Sequence, residues 1–256
     1  MAKGKIKAVA FNGSPHGRRG ATSFQIESLF RGMAEAGAET EQVFLREYDI
    51  LECRGAFCSS CHSKTPGKCV IKDDFAVLLE KFNAADIVIM GTPLFIDNMT
   101  GIMKTFIDRF FSTVDPHFAT DENGETVHKP REGQRDKEII VVSSCGYPEK
   151  THFEVLSLIF KRAARNLHWK IVGKIYKPTG ILLVHPDIPA SIRKIIGRHY
   201  ASQLAKIGLA LAEGRREEAK KIIDRSCKGL LSPKIYRKLV NMLVDQQTRP
   251  AILTPK

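Results

Sequence analysis

The chain has 256 residues, 43% of them hydrophobic and 27% charged, with a formal net charge of +12. That length can bury a sizeable core in one large domain or in one domain with an appendage, and the composition is that of a soluble globular protein. No run of about 18 apolar residues is present, which argues against a membrane-spanning helix, and Met1-Ala-Lys-Gly-Lys-Ile-Lys7 has no signal-type apolar region, so a cytoplasmic protein is expected.

In chain order, Lys5–Phe11 is an apolar strand that stops in the turn Asn12-Gly13-Ser14-Pro15. A polar, Gly-rich segment follows, and Thr22-Ser23 opens a helix that runs over Ser23–Gly37. Thr40–Leu45 is a second strand. Arg46–Gly67 has no period and is too long for a plain loop in a compact domain, which marks it as functional. Asp74–Ala84 is a helix with Asp73 or Asp74 as its cap, and Ala85–Met90 is an almost uninterrupted apolar strand of the parallel-sheet kind. A helix spans Thr100 to about Thr113, and Val114–Asp136 is a surface loop or hairpin turning at Asp121-Glu-Asn-Gly124. Glu138–Ser143 is the fourth strand, Thr151–Leu167 a helix and Lys170–Tyr176 the fifth strand. Pro189–Glu213, Arg215–Ser226 and Ser232–Gln246 are helical.

Strands alternating with helices predict a doubly wound α/β domain. Five strands fit the flavodoxin-like order 2-1-3-4-5 better than the six-stranded dinucleotide order. The expected organisation is therefore a domain over 1–185, with an insertion at 46–70, and a helical C-terminal appendage over 186–256.

Ligands of such sheets sit outside the carboxyl ends of the strands, where strand order reverses. The loops after strands one, three and four should meet there. The first presents free N–H groups and the positive end of a helix dipole, which suits a phosphate. Asn12, Ser14, His16, Gly20, Thr22 and Ser23 are its candidate binding residues. It has neither Gly-x-Gly-x-x-Gly nor a Gly-Lys-Ser/Thr ending, so a Rossmann or Walker loop is disfavoured. The plain alternative is an ordinary strand-to-helix turn.

Asn12-Gly-Ser-Pro followed by Thr22-Ser23 resembles the phosphate loop of the NAD(P)H-dependent FMN reductase and iron–sulfur flavoprotein family. The second loop resembles that family's flavin loop through Thr92, Pro93, Gly101, Lys104, Asp108 and Arg109, with Phe95 where a Tyr is usual. The resemblance implies that Pro93, Leu94, Phe95, Ile96, Asp97 and Asn98 border the isoalloxazine. It assigns Ser144, Cys145, Gly146 and Tyr147 to the third flavin loop. It covers about residues 5–180. Asp108 and Arg109 are read as a structural pair supporting the loop. The cofactor implied is FMN, with NAD(P)H as co-substrate and a homo-oligomer, dimer or tetramer, as the assembly. No side chain is singled out as a general acid or base.

Four cysteines crowd the insertion as Cys53-x4-Cys58-x2-Cys61-x7-Cys69. Four such thiolates can bind a [4Fe–4S] cluster or a tetrahedral zinc. The family's iron–sulfur members share the pattern at Cys58, Cys61 and Cys69, whereas the gap before Cys58 is longer here and leaves Cys53 outside it. Thiols that hold no metal are the third reading.

Residues 190–256 carry 15 basic and 5 acidic side chains, a balance of +10, while the rest of the chain is near neutral. Solvated helix faces account for such a bias; the sharper reading is docking of an acidic redox carrier. Aromatics are not interleaved with the charges, which disfavours nucleic acid. The functional expectation is an FMN-dependent oxidoreductase taking electrons from NAD(P)H or a reduced carrier and passing them to a small acceptor or an iron–sulfur protein. The alternatives are a non-catalytic flavin/iron–sulfur carrier or redox sensor, and a phosphate-binding protein without flavin.

Overall fold

The computed structural model describes residues 5–55, 61–134, 136–186, 188–229 and 231–248. In chain order the elements are β1 (Lys7–Asn12), α1 (Ala21–Glu35), β2 (Glu39–Phe44), α2 (Phe75–Ala84), β3 (Ile87–Pro93) and α3 (Gly101–Asp108). A hairpin of β4 (Val114–Thr120) and β5 (Thr126–Pro130) follows, then β6 (Lys137–Ser144), α4 (Glu154–Leu167) and β7 (Trp169–Lys177). The chain closes with α5 (Ala190–Ala212), α6 (Arg216–Ser226) and α7 (Pro233–Thr248).

Five parallel strands form one sheet in the order β2-β1-β3-β6-β7, the flavodoxin-like order expected. The order reverses between β1 and β3, which pair with Ala10 opposite Ile89. Residues 114–130 form the antiparallel hairpin, and Gly124 takes a positive φ in its turn. The helix expected from Thr100 to Thr113 ends early: α3 stops at Asp108 and a 3-10 turn covers Arg109–Thr113.

The central strands are buried on both faces, so successive side chains serve different cores. Val9, Phe11, Val88, Met90, Ile139 and Val141 face α2, α3 and α4. There they meet an aromatic cluster in which Phe11 lies 4.7 Å from Phe106 and Phe82 lies 4.5 Å from Phe110. Ala8, Ala10, Ile87, Ile89, Ile140 and Val142 face α1, α5 and α6.

The three C-terminal helices pack differently. α5 buries Tyr200, Leu204, Ile207 and Leu211 in the second core, and the Tyr200 hydroxyl donates to Gln25 Oε1 at 2.9 Å. α6 adds Ala219 and Ile223 beside β7. α7 lies against the loop after β6, and among its described residues only Tyr236 is buried.

Helices α1 and α5 touch backbone to backbone. A Cβ on Gly32 would sit 1.7 Å from Ala205 O, and one on Gly208 would sit 2.0 Å from Leu29 O. Both distances lie far inside van der Waals contact, and the atoms met are backbone. Gly208→Ala should therefore prise the helices apart and cost about 3 kcal/mol, at the upper end of overpacking effects. The urea midpoint measures this; an unchanged midpoint would mean that the helices separate freely.

Candidate functional site

The loop after β1 begins under tight constraint. Gly13 N donates to Gly91 O at 2.8 Å, and Gly13 has no room for a side chain because a Cβ would lie 2.9 Å from Thr100 Oγ1. Asn12 is buried; its Oδ1 accepts from Ser14 N at 2.9 Å. Ser14 Oγ in turn accepts from His16 N at 3.3 Å. His16 itself is exposed and precedes a short 3-10 turn over Gly17–Arg19. Gly20 is the N-cap of α1, and a Cβ there would lie 2.9 Å from Ser14 Oγ. The first-turn N–H groups of α1 have no intrahelical partner.

Two buried polar atoms of this loop are orphaned among the described residues: Asn12 Nδ2 and Thr22 Oγ1. Such atoms are costly unless something accepts from them. Ser23 differs. Its hydroxyl donates to Glu27 Oε1 and accepts from Gln42 Nε2, both at 3.0 Å, so it is engaged within the protein. Arg46, at the base of the insertion, donates to Pro15 O at 2.5 Å and holds the loop from outside.

The loop after β3 is a tight hairpin. Phe95 and Asn98 exchange backbone hydrogen bonds of 2.8 and 3.0 Å, and Ile96 and Asp97 both take positive φ, 47° and 56°. A β-branched residue in that region is strained by about 1–3 kcal/mol, yet Ile96 is 100% exposed and Phe95 49% exposed. Asn98 Oδ1 accepts from Met99 N at 2.7 Å. Pro93 pairs with Ser144 across β3 and β6.

The loop after β6 lies beside it: Leu94 N donates to Ser144 O at 3.0 Å. Cys145 N donates to Lys177 O and Gly180 N to Cys145 O, so the loop is also stitched to the end of β7. Burial pushes the Cys145 thiol up to about 11, which leaves it a thiol at neutral pH. Gly146 O accepts from the Tyr236 hydroxyl at 2.5 Å. Tyr147 is 54% exposed and stacks on His152 at 4.0 Å with the planes 17° apart. His152 Nδ1 faces the Asp97 carboxylate at 2.9 and 3.1 Å, joining the second loop to the start of α4. Thr100 joins the first loop to the second, since its hydroxyl donates to Gly13 O at 2.8 Å while its N–H donates to Thr92 Oγ1 at 3.0 Å. The three loops thus form one hydrogen-bonded edge.

The insertion is anchored elsewhere. Arg109 and Asp73 form an ion pair with side chains 1% and 0% exposed. Arg109 also donates to Leu51 O at 2.8 Å and to Cys69 Sγ at 3.3 Å, and its guanidinium lies 4.7 Å from the Phe75 ring centre. Asp108, read as Arg109's partner, instead pairs with Lys104 one helical turn back. Cys61 is buried, and Cys53 and Cys69 are half-buried. Cys58 lies outside the described residues. Among the described residues, no three His, Cys, Asp or Glu side chains gather where they could hold a metal. Nine residues of helical rise, about 13 Å, separate the backbone of Arg109 from that of Thr100.

A family model described as NADPH-dependent FMN reductase matches residues 6–146. The chain belongs to that family. An iron-sulfur flavoprotein of Archaeoglobus fulgidus is 40% identical over 104 residues, 41% of this chain and 48% of that one. A second from the same organism is 32% identical over 146 residues, 57% of this chain and 58% of that one. The alignments therefore span about half the length of these curated relatives. Among solved structures, an NAD(P)H:quinone oxidoreductase from Methanothermobacter marburgensis superposes with a TM-score of 0.55 at 15% identity, covering 81% of this chain and 96% of that one. This last likeness is one of fold. The family match covers the edge assembled by the three loops, up to Gly146.

Sequence reasoning missed His152, the loop-bridging role of Thr100 and the pairing of Asp73 with Arg109; the capping read for Asp73 is present, since its Oδ1 accepts from Phe75 N at 3.1 Å. Thr100 carries a helix-capping signal, but its bond to Gly13 spans 87 residues, and the Asp97–His152 contact spans 55. No local pattern encodes either.

For Asp73, burial alone would raise the carboxyl, but donation by Arg109 and by the N–H groups of Leu51 and Phe75 outweighs it and holds it below its ordinary value. A depressed folded-state value contributes stability above the unfolded value of about 3.9, and this is lost as pH falls through the folded one. Asp73→Asn should cost about 3–5 kcal/mol at neutral pH by stranding a buried guanidinium. Urea midpoints should show the gap to wild type narrowing once the pH falls below about 4. A gap independent of pH would remove this ion pair as the cause.

Proposed function

We propose that the protein is an FMN-dependent oxidoreductase that takes electrons from NAD(P)H or a reduced carrier and passes them to a small acceptor or an iron–sulfur protein. The observation that carries this reading is the pair of orphaned buried atoms, Asn12 Nδ2 and Thr22 Oγ1, in a glycine-lined loop at the point where strand order reverses. A loop rich in donors, opening a helix, fits a terminal phosphate. Phe95 and Ile96, exposed on the second loop, would cover the faces of the isoalloxazine, and Tyr147, exposed on the linked third loop, would meet its edge. FMN, when bound, supplies hydride and single-electron chemistry; the residues here bind it, orient it and limit access of water. A homo-oligomer and a basic C-terminal face that docks an acidic carrier belong to the same proposal, supported by resemblance and by charge.

The relatives' name, iron-sulfur flavoprotein, supports a second cofactor in the insertion, with Cys58, Cys61 and Cys69 as ligands and Cys53 as the fourth candidate. Among the described residues the thiols alone do not make a site. Iron and acid-labile sulfide on anaerobically purified protein test it: about four irons per chain, lost in Cys61→Ser, support a [4Fe–4S] cluster. Iron-free protein would assign the insertion a structural role. Rapid NAD(P)H oxidation by the purified protein separates an enzyme from a passive carrier.

The phosphate assignment makes a sharper forecast. Thr22→Val should weaken FMN binding by about 1.5–3 kcal/mol, the value of a hydrogen bond to a charged group. Ser23→Ala should change it far less, because that hydroxyl already serves Glu27 and Gln42. Fluorescence titration with FMN measures both. Equal losses, or none in Thr22→Val, would overturn the placement of the phosphate.

A further inference from the structure

A cavity of about 440 Å³ lies between α7 and the loop after β6. That is within the roughly 300–1,000 Å³ of small-molecule sites. Its inner wall is the loop itself, with Tyr147 and Pro148; its sides are Ile181 and Leu182 of the turn after β7; its outer wall is Val240 and Leu243 of α7. The helix is held there by the buried Tyr236, through its bond to Gly146 O, and by the Arg237–Glu149 ion pair at 2.9 Å. Val240 and Leu243 are only partly covered, and Ile181 is 40% exposed. Apolar walls that face a gap have lost the dispersion contacts that a packed core would give them.

The lining also states what would fit. Its charged members are Glu149 and Arg237, and these neutralise each other at the rim; the remaining titratable member, His185, is itself engaged. An ion entering the cavity would meet no unpaired opposite charge among the described Lys, Arg, Asp and Glu side chains, and would lose its hydration. Tyr147 has one ring face stacked on His152, while 54% of the residue is exposed. A second flat ring can extend that stack, since offset aromatic pairs are favourable beyond the area they bury.

We infer that this cavity binds a neutral, flat aromatic molecule of one or two fused rings, stacked on Tyr147 and covered by α7. Nothing in the phosphate assignment is needed for the site. Its use, to gather an aromatic electron acceptor beside the flavin, does rest on the proposed function, because Gly146 and Tyr147 belong to both places.

Naphthalene is the probe and the anion naphthoate the control, titrated calorimetrically into the full-length protein with and without FMN. Saturable binding of naphthalene, and much weaker binding of naphthoate, is expected in both states. Val240→Trp fills the cavity from the helix side and should weaken naphthalene at least about tenfold. Tyr147→Ala removes a half-exposed ring that lies outside the core and stacks on His152, so the variant should fold, and should weaken naphthalene about three- to tenfold. Circular dichroism checks both variants. No saturable binding to wild type, naphthoate bound as tightly, or unchanged affinity in Tyr147→Ala would each overturn the site. Naphthalene binding by a protein that takes no FMN would leave this site standing and remove the flavin reading instead.

Discussion

The contact on which most of the site geometry depends is the buried guanidinium of Arg109. Removing such a charge from water costs several kcal/mol, so it persists only where most of it is answered; among the described residues its Nε alone has no hydrogen-bond partner. Asp73 answers it with a carboxylate, Leu51 with a carbonyl, Cys69 with sulfur and Phe75 with a ring face. These partners come from both ends of the insertion and from the start of α2, so a single side chain closes a loop more than twenty residues long. The same residue sits where α3 gives way to a tighter turn. Fixing that end of α3 fixes the other, and there Thr100 grips Gly13 and Thr92. The first two loops are therefore held in register by an ion pair that touches neither.

Strain is concentrated at the opposite extreme of exposure. Ile96 and Asp97 occupy the left-handed region in succession, a conformation suited to Gly and Asn rather than to a β-branched side chain. The cost is tolerated because the turn is over-determined: two backbone bonds close it, Leu94 is tied to Ser144, and Asp97 reaches His152. The result is an apolar tip, Phe95-Ile96, held rigidly in solvent above a polar base. Strained residues on constrained loops cluster at ligand sites. In this protein the strain lies on the loop next to Tyr147, the most exposed aromatic of the third loop.

Much of this was legible in the sequence. The five strands and the turn at 121–124 follow from apolar period and turn chemistry, which are local, while the strand order and the meeting of the three loops follow from the fold that such an alternation fits; the stretch after Val114, read as a surface loop or hairpin, is a hairpin. What the sequence left out is that neighbours on a helix have different companions. Successive residues on an α-helix point about 100° apart, so the hydroxyls of Thr22 and Ser23 have different surroundings, as do Asp108 and Arg109. Thr22 turns into the loop end of the sheet, while Ser23 turns toward β2 and meets Gln42. Asp108 follows the surface to Lys104 one turn away, and Arg109 turns inward. Contacts such as Asp97–His152 had no sequence signal, because they depend on where separate loops come to rest.

The C-terminal helices illustrate how charge and packing can disagree about where a domain ends. By charge, residues 190–256 stand apart from the rest of the chain. By packing, α5 is inseparable from α1: Gly32 and Gly208 bring the backbones together, and Tyr200 finds Gln25 inside the core. α5 therefore covers one face of the sheet as α2, α3 and α4 cover the other, and its basic residues lie on the side turned away from that core. α7 is the different case. It buries a single tyrosine among its described residues, and that tyrosine bonds to the backbone of the third loop rather than to the core. A helix docked in this way adds little to global stability and much to the shape of one loop. The chain's last helix thus acts on the site, and its other C-terminal helices act on the fold.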